Sequence, residues 1–583
     1  MIFSAINLRN LSAALICILA VSSAAAQESV PPEGATPSTA KSLVIAQRHM
    51  IVAANPLAAE AGREILRAGG SAVDAAIATQ LVLGLVEPQS SGLGGGAFLV
   101  HWDAGQHAVD TYDGRETAPA AAKTDRFLSG GSPMPFKDAV LSGLSVGVPG
   151  VVRMLADVHA RHGKLPWAQL FQPAITLAEN GFAVPARLSQ LLAAERAEDF
   201  SPAARSYFFD DSGKPRSAGE TLKNPQYAAT LKVLAEKGVS AFYDGAIAGE
   251  IVAAVAASPR PGDLAIADFT AYRAEQRDAL CFNYRAHKIC GMGPPSSGAL
   301  TIGATLKLIE PITTVHGAAA AMTAPALHAI SEAEKLAFAD RNRYVADPAF
   351  VTVPSGLLDD AYLSERRKLI DPIRSIEKAQ AGLPPGLSKR SQGIDATHEM
   401  AGTSHLSIVD DAGNAVAMTT TIESAFGSHL WAAGFLLNNQ MTDFSFRAID
   451  QLGDKIVNAV EPGKRPRSSM APTLVFDAKG ELEAVTGSPG GSKIILFLVK
   501  SLVAMFDWDM DPQAAAALPN FGSEGGALQL EGAETLDATA ALKGLGHSIV
   551  ADQMSSGMHT ILRRSDHLEG GADPRREGVA LGD

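Results

Sequence analysis

Residues 379–402 divide the chain into two unlike parts. Ala379–Gly402 is polar, holds Gly, Pro and Ser, and sustains no period, so it reads as an exposed linker. Ahead of it, apolar residues recur at helical spacing. Pro56–Ala68 stops at Gly69-Gly70, and Ser71 is placed to cap a second helix, Ala72–Val86, with Asp74 favourable in its first turn. Gly92–Gly96 follows, then a strand over Ala97–Trp102, a helix over Val151–Arg161, and a mostly helical pattern from about 170 to 350. Beyond the linker the texture turns to strands. Ser404–Val409 and Ala415–Ile422 flank the turn Asp410–Asn414, and Thr473–Phe476 and Glu481–Thr486 flank Asp477–Gly480. Gly487–Gly491 then leads into an apolar helix, Lys493–Phe506, for which Ser492 is the expected cap. Helices first and strands later predict an α+β chain of stacked layers around a sheet core.

At 583 residues the chain has room for about two to four domains. Its 46% apolar and 19% charged content excludes global disorder. A net charge of −13 without a long basic run makes nucleic acid a poor partner. Three Cys exclude a disulfide scaffold, and the 14 His show no paired metal-ligand spacing, so no metal or cofactor is expected. Arg9, the apolar run Leu11–Val21, and Ala24 and Ala26 before Gln27 form the pattern of a secretory signal over residues 1–26. The run is shorter than the ~20 residues of a membrane span. The expectation is a periplasmic or secreted protein without a stable membrane anchor. Cys281 and Cys290 would then meet oxidising conditions across a short hairpin, either as a structural disulfide, which we favour, or as two buried thiols.

Three familiar motifs fail on context. Gly92-x-Gly94-x-x-Ala97 has a helix before it and a strand after it, the reverse of a dinucleotide fingerprint, and remains only a tight turn. Gly143-Leu144-Ser145-Val146-Gly147 matches a nucleophile elbow, but Val148-Pro149-Gly150 interrupts the entry into a helix. Gly487–Ile494 lacks the Gly-Lys-Ser/Thr ending of a P-loop, although its turn offers N–H groups to an anion or a developing oxyanion. Gly402-Thr403-Ser404-His405 is more informative. A mid-chain Thr hydroxyl is a weak nucleophile, but cleavage before it frees an α-amine that serves as an adjacent base.

Eight segments in order carry a resemblance to the γ-glutamyltransferases (γ-glutamyl transpeptidases), which are N-terminal-nucleophile hydrolases. They are Gly69–Ala76, Ser91–Phe98, Asp113–Pro119, Pro294–Gly298, Gly402–His405, Leu437–Phe444, Lys464–Met470 and Thr486–Ser492. The resemblance implies a four-layer αββα sandwich formed by two autoprocessed subunits. Cleavage of Gly402–Thr403 would give a large subunit, 27–402, and a small catalytic one, 403–583, which stay associated. It assigns Thr403 as nucleophile, Thr421 as its supporting hydroxyl, and the N–H groups of Gly490 and Gly491 as the oxyanion hole. It assigns Arg115, Ser468 and Ser469 to the α-carboxylate of a γ-glutamyl donor, and Glu423, Gln440 and Asp443 to its α-ammonium.

The implied reaction passes a γ-glutamyl group from a glutathione-like donor through a Thr403 ester to water, an amino acid or a peptide. Glu423 stands where many members carry Asn, Ser404 where Thr is frequent, and Phe426–Gly434 and Asp443–Ser468 are slightly short. A cephalosporin or glutaryl acylase on the same scaffold, an unprocessed binding protein, and a hydrolase using Ser145 are the alternatives.

Overall fold

A computed structural model describes residues 38–387, 392–397, 399–400, 402–533 and 537–583. The expected signal segment therefore lies outside the described residues, as does part of the linker. In chain order the strands that build the core are β1 (Val44–Ala46), β2 (Met50–Ala53), β3 (Gly96–Asp103), β4 (Ala108–Gly114), β5 (Glu275–Arg277), β6 (Leu280–Tyr284) and β7 (His287–Gly291). After the linker come β8 (Gly402–Val409), β9 (Ala415–Glu423), β10 (Thr473–Phe476), β11 (Leu482–Gly487), β12 (His559–Arg563), β13 (Leu568–Ala572) and β14 (Val579–Gly582).

Two seven-stranded antiparallel sheets result, in the orders β14-β2-β8-β9-β3-β4-β5 and β1-β13-β12-β11-β10-β7-β6. Side-chain alternation along the strands separates three apolar layers. In β2, Ile51 and Ala53 face the outer cluster, which also takes Leu406 and Ile408 of β8 and the helices α1 (Pro56–Arg67) and α2 (Ala72–Val86). Met50 and Val52 face the other way, into a layer between the sheets with Trp102, Leu474, Phe476 and Val485. The far face of the second sheet, Val475 and Ala484 among it, is covered by α4 (Gly298–Ile309), α5 (Ala324–Tyr344) and α6 (Ile494–Phe506), α3 being the earlier helix Val151–His162. The architecture is thus α-β-β-α, with one apolar layer between the sheets and one on the outer face of each.

Local expectations hold where local chemistry decides. Ser71 accepts the Asp74 N–H while the Asp74 carboxylate accepts the Ser71 N–H, closing a capping box on α2. Asp410 Oδ1 accepts the N–H groups of Ala412 and Asn414 and so shapes the β8–β9 turn. Cys281 and Cys290 are directly opposed in the β6–β7 hairpin and joined as a disulfide.

One expectation is corrected. Ser492 does not cap α6: a 3-10 turn over Gly491–Lys493 precedes it, and α6 begins at Ile494. The change of texture at the linker does not divide the layers, in keeping with a sandwich built from both halves: strands from before it flank β8 and β9 on both sides, β2 on one and β3 on the other.

Candidate active site

The site forms where β8 begins. Thr403 pairs with Thr421 across β8–β9, and the register slips between Gly402 and Thr403, a bulge that re-aims the side chain following it. Thr403 Oγ donates to Thr421 Oγ at 3.3 Å, and Thr421 Oγ donates in turn to the Gly402 carbonyl at 2.7 Å. The Glu423 N–H donates to the same Thr421 oxygen at 2.8 Å. One hydroxyl therefore touches both the nucleophile and the carbonyl of the Gly402–Thr403 bond. The Gly92–Gly96 turn is packed against this strand so closely that a Cβ on Gly95 would lie 2.0 Å from the Thr421 carbonyl oxygen.

Arg115, Thr403, Thr421, Glu423, Gln440, Asp443, Ser468, Ser469 and Gly491 all line one cavity, so the residues assigned from sequence converge with the exception of Gly490. The cavity holds only about 20 Å3 because linker residues Glu399 and Met400 form part of its wall. Gly490 adjoins it as the residue before the 3-10 turn. Gly491 has φ +58, and a Cβ there would meet the carbonyl oxygens of Glu399 at 2.5 Å and Met400 at 2.6 Å. This turn is thus a place where the backbone receives carbonyl groups at close range, which only glycine permits.

Gln440 and Asp443 sit on one 3-10 turn, Gln440–Asp443, which brings their side chains together: Gln440 Nε2 donates to Asp443 Oδ2 at 2.7 Å. Gln440 Oε1 and Asp443 Oδ1 are buried without a hydrogen-bond partner. They are acceptors aimed into a cavity, which suits a cationic ligand. Glu423 completes that side. It has φ +83, a conformation unfavourable for a residue of its size. Its carboxylate is held by Ser424 Oγ, Asn439 Nδ2 and the Met400 N–H, the last at 2.9 Å.

Burial raises both the Glu423 and the Asp443 carboxyl, and for Asp443 the nearby Glu423 adds to the rise while Arg115 opposes it. Burial also pushes Glu116 up to about 8. Uncompensated negative charge is therefore costly on this wall of the site, a cost that a cationic ligand would relieve.

Arg115 is 1% exposed, pairs through Nη2 with Asp443, and donates to the carbonyls of Pro466 at 3.2 Å and Arg467 at 2.9 Å. Sequence reasoning missed three further charged groups beside the cavity. Arg341 on α5 donates to Ser469 Oγ at 2.6 Å and to the Glu399 carboxylate, and Arg467 Nε lies 3.5 Å from the same carboxylate. Arg467 falls inside the quoted segment Lys464–Met470, whereas Glu399 has no sequence signal beyond being a charge in a polar linker.

Ser145 lies on a 3-10 turn with its hydroxyl donating to the carbonyls of Val140 and Ser142, both at 2.8 Å. It is not poised as a nucleophile. Among the described residues two His–carboxylate clusters have the spacing to hold a metal ion, His101–Asp110–His162 and His328–Glu332–His547. In the second, Glu332 is engaged by the Lys335 ammonium at 2.8 Å and by Ser375 Oγ at 2.9 Å, which opposes a further cation. Neither cluster touches the cavity.

Comparison with known proteins agrees with this geometry. The family model described as Gamma-glutamyltranspeptidase matches residues 58–583. The glutathione hydrolase proenzyme of Bacillus subtilis (strain 168) is 32% identical over 559 residues, covering 93% of this chain and 92% of its own. The acylase ACY 1 proenzyme of Pseudomonas sp. (strain V22) is 36% identical over 552 residues, covering 92% and 93%. The solved cephalosporin acylase from Bacillus halodurans superposes with a TM-score of 0.80 at 27% identity, covering 95% of this chain and 99% of that one. The four-layer sandwich is that of the N-terminal-nucleophile hydrolases. With a family model spanning almost all of the described fold and relatives that match end to end, the chain belongs to the gamma-glutamyltranspeptidase family.

Proposed function

We propose that this protein is an exported, self-processing γ-glutamyltransferase that cleaves γ-glutamyl amides, glutathione and its conjugates among them. The observation that carries the reading is the Thr421 hydroxyl, which bridges Thr403 Oγ and the Gly402 carbonyl oxygen. Self-processing begins when Thr403 Oγ attacks the Gly402 carbonyl carbon. The C–N bond breaks as the ester forms, and the hydroxyl proton ends on the departing nitrogen. Water then hydrolyses the ester, leaving a Gly402 carboxylate and a free Thr403 with both hydroxyl and α-amine.

In the mature protein the α-amine takes the hydroxyl proton as Thr403 Oγ attacks the donor's γ-carbonyl. An unperturbed α-amine has a pKa of about 7.7–8.0, so acylation quickens as pH rises through that range. The N–H groups of Gly491, which lines the cavity, and of the adjoining Gly490 receive the oxyanion of each tetrahedral intermediate in this reading. The same amine returns its proton to the leaving amine. Water completes hydrolysis of the acyl-enzyme, and the amine of an amino acid or peptide completes transfer.

Both an acylase and a glutathione hydrolase stand among the relatives, and the chemistry of the site favours the γ-glutamyl donor. Unpartnered Gln440 Oε1 and Asp443 Oδ1 beside Glu423 form a receptor for an α-ammonium. A glutaryl donor lacks that group and would leave these acceptors unsatisfied. The test is turnover of a γ-glutamyl anilide against a glutaryl anilide, with and without glycylglycine, on protein whose chains have been weighed. Two chains, one starting at Thr403, and a preference for the γ-glutamyl donor are expected. A preference for the glutaryl anilide would make the protein an acylase.

Ser145→Ala is expected to self-process and to turn over the γ-glutamyl donor within about threefold of the unmutated protein, since that hydroxyl serves only its own turn. Loss of turnover with normal processing would return Ser145 to consideration. Export rests on residues 1–26, and a large subunit beginning at Gln27 is the expected product. Among the described residues no helix is long and apolar enough to cross a membrane.

A further inference from the structure

The uncleaved linker occupies its own site in a specific way. Glu399 places its carboxylate between two buried guanidinium groups, accepting from Arg341 Nη2 and lying 3.5 Å from Arg467 Nε. One residue on, the Met400 N–H donates to Glu423 Oε1 at 2.9 Å. The linker thus sets an anion on the Arg341–Arg467–Ser469 side and an N–H donor on the ammonium side. Those are the two features of a glutamyl end group.

We propose that Glu399 is an internal stand-in for the donor, and that after cleavage the subsite formed by Arg341, Arg467 and Ser469 passes to the donor's α-carboxylate. The inference rests on the donor reading above and adds Arg467 to the groups that recognise the substrate. Three observations carry it. Arg467 is fully buried, yet none of its three side-chain nitrogens makes a hydrogen bond. Its compensation comes from the linker, Asp395 Oδ2 at 3.0 Å and Glu399 at 3.5 Å. Arg115, the guanidinium assigned from sequence, is already paired with Asp443.

Cleavage at Gly402–Thr403 frees the end of the linker that holds Glu399 in place. If its carboxylate withdraws, two neighbouring buried guanidinium groups lose a counter-charge, which is costly unless another anion enters. A carboxylate matches the fork geometry of both and reaches Ser469 Oγ, which shares the cavity wall with Thr403. The precursor is accordingly closed to donors until it has matured.

The test uses mature protein and three anilides: γ-glutamyl, glutaryl (carboxylate without amine) and 4-aminobutyryl (amine without carboxylate). Arg467→Leu is expected to mature and to raise KM for both carboxylate-bearing donors by about tenfold or more, the scale of one charge-assisted contact, with a much smaller change in kcat. The 4-aminobutyryl anilide should be affected far less. Arg467→Lys keeps the charge but loses the fork, and should fall between; it carries the same comparison if the Leu variant does not mature.

Calorimetry with L-glutamate supplies a readout independent of turnover. Mature protein should bind it, Arg467→Leu should bind about tenfold or more weakly, and the Thr403→Ala precursor, with Glu399 still in place, should not bind. Equal losses on all three donors, no loss on any, or a precursor that binds glutamate as tightly as mature protein would each overturn the proposal. A mature protein that binds glutamate through Arg467 but cleaves neither carboxylate-bearing donor would instead refute the donor reading and leave the subsite standing.

Discussion

Thr403→Ala is expected to remain one uncleaved chain and to lose turnover of γ-glutamyl anilide by about 10⁴-fold or more, the scale seen when a covalent nucleophile is removed. Two roles disappear together. The precursor loses the hydroxyl that attacks the Gly402 carbonyl, so no α-amine is freed, and the site loses the atom that carries the acyl group. The fold should survive, because the side chain is small and contributes one 3.3 Å hydrogen bond to the core of the site. Thr403→Ser is the informative control. It retains a hydroxyl and, once cleaved, an α-amine, so it should process and turn over at a reduced rate. Chain masses from purified protein, together with the anilide assay, decide the matter. A Thr403→Ala protein found as two chains would place the attacking group elsewhere, and an active single chain would refute the nucleophile assignment.

What could be read in the sequence divides along a physical line. The capping box at Ser71 and Asp74 and the Asp410 turn depend on groups within four residues of one another, and both form as their residues indicate. The layering was less accessible. β8 and β9 are recognisable as a hairpin, but their outer neighbours β2 and β3 lie more than 300 residues away in the chain, and pairing at that distance leaves no local trace. A change in pattern along the chain likewise says nothing about which strands later become neighbours.

At the site, resemblance named the residues that meet the cavity, while their charge states depended on partners it did not assign. Arg115 has Asp443 as its counter-charge, a pairing the resemblance does not assign. Glu399 is one acidic residue in a polar segment, and its burial became evident only when Arg341 from α5 and Arg467 from another loop converged on it. A buried charge is legible only with its counter-charges, and here those come from three separate segments.

The second large effect is expected at Thr421. Thr421→Val preserves the volume of the side chain and removes only its hydroxyl, so the β8–β9 register should persist. Three interactions go with that oxygen: donation to the Gly402 carbonyl, acceptance from Thr403 Oγ, and acceptance from the Glu423 N–H. The first matters most for rate. As Thr403 attacks, negative charge gathers on the Gly402 oxygen, and a preorganised donor 2.7 Å away opposes the cost of that charge. Removing one such donor slows a reaction by about 10²–10³-fold, so the precursor should accumulate and convert to two chains correspondingly slowly. The Glu423 N–H left without its acceptor adds about 1–3 kcal/mol of destabilisation, visible as a lower melting temperature. Thr421→Ser should restore most of the rate, because it returns the hydroxyl without the methyl. Processing of Thr421→Val at the unmutated rate would show that the Gly402 carbonyl is activated by another group. The small fraction that does mature is informative as well. If it turns over γ-glutamyl anilide with an unmutated kcat, Thr421 acts only on the junction; if kcat falls in step with processing, the hydroxyl also steadies Thr403 Oγ during donor attack, and one residue serves both reactions.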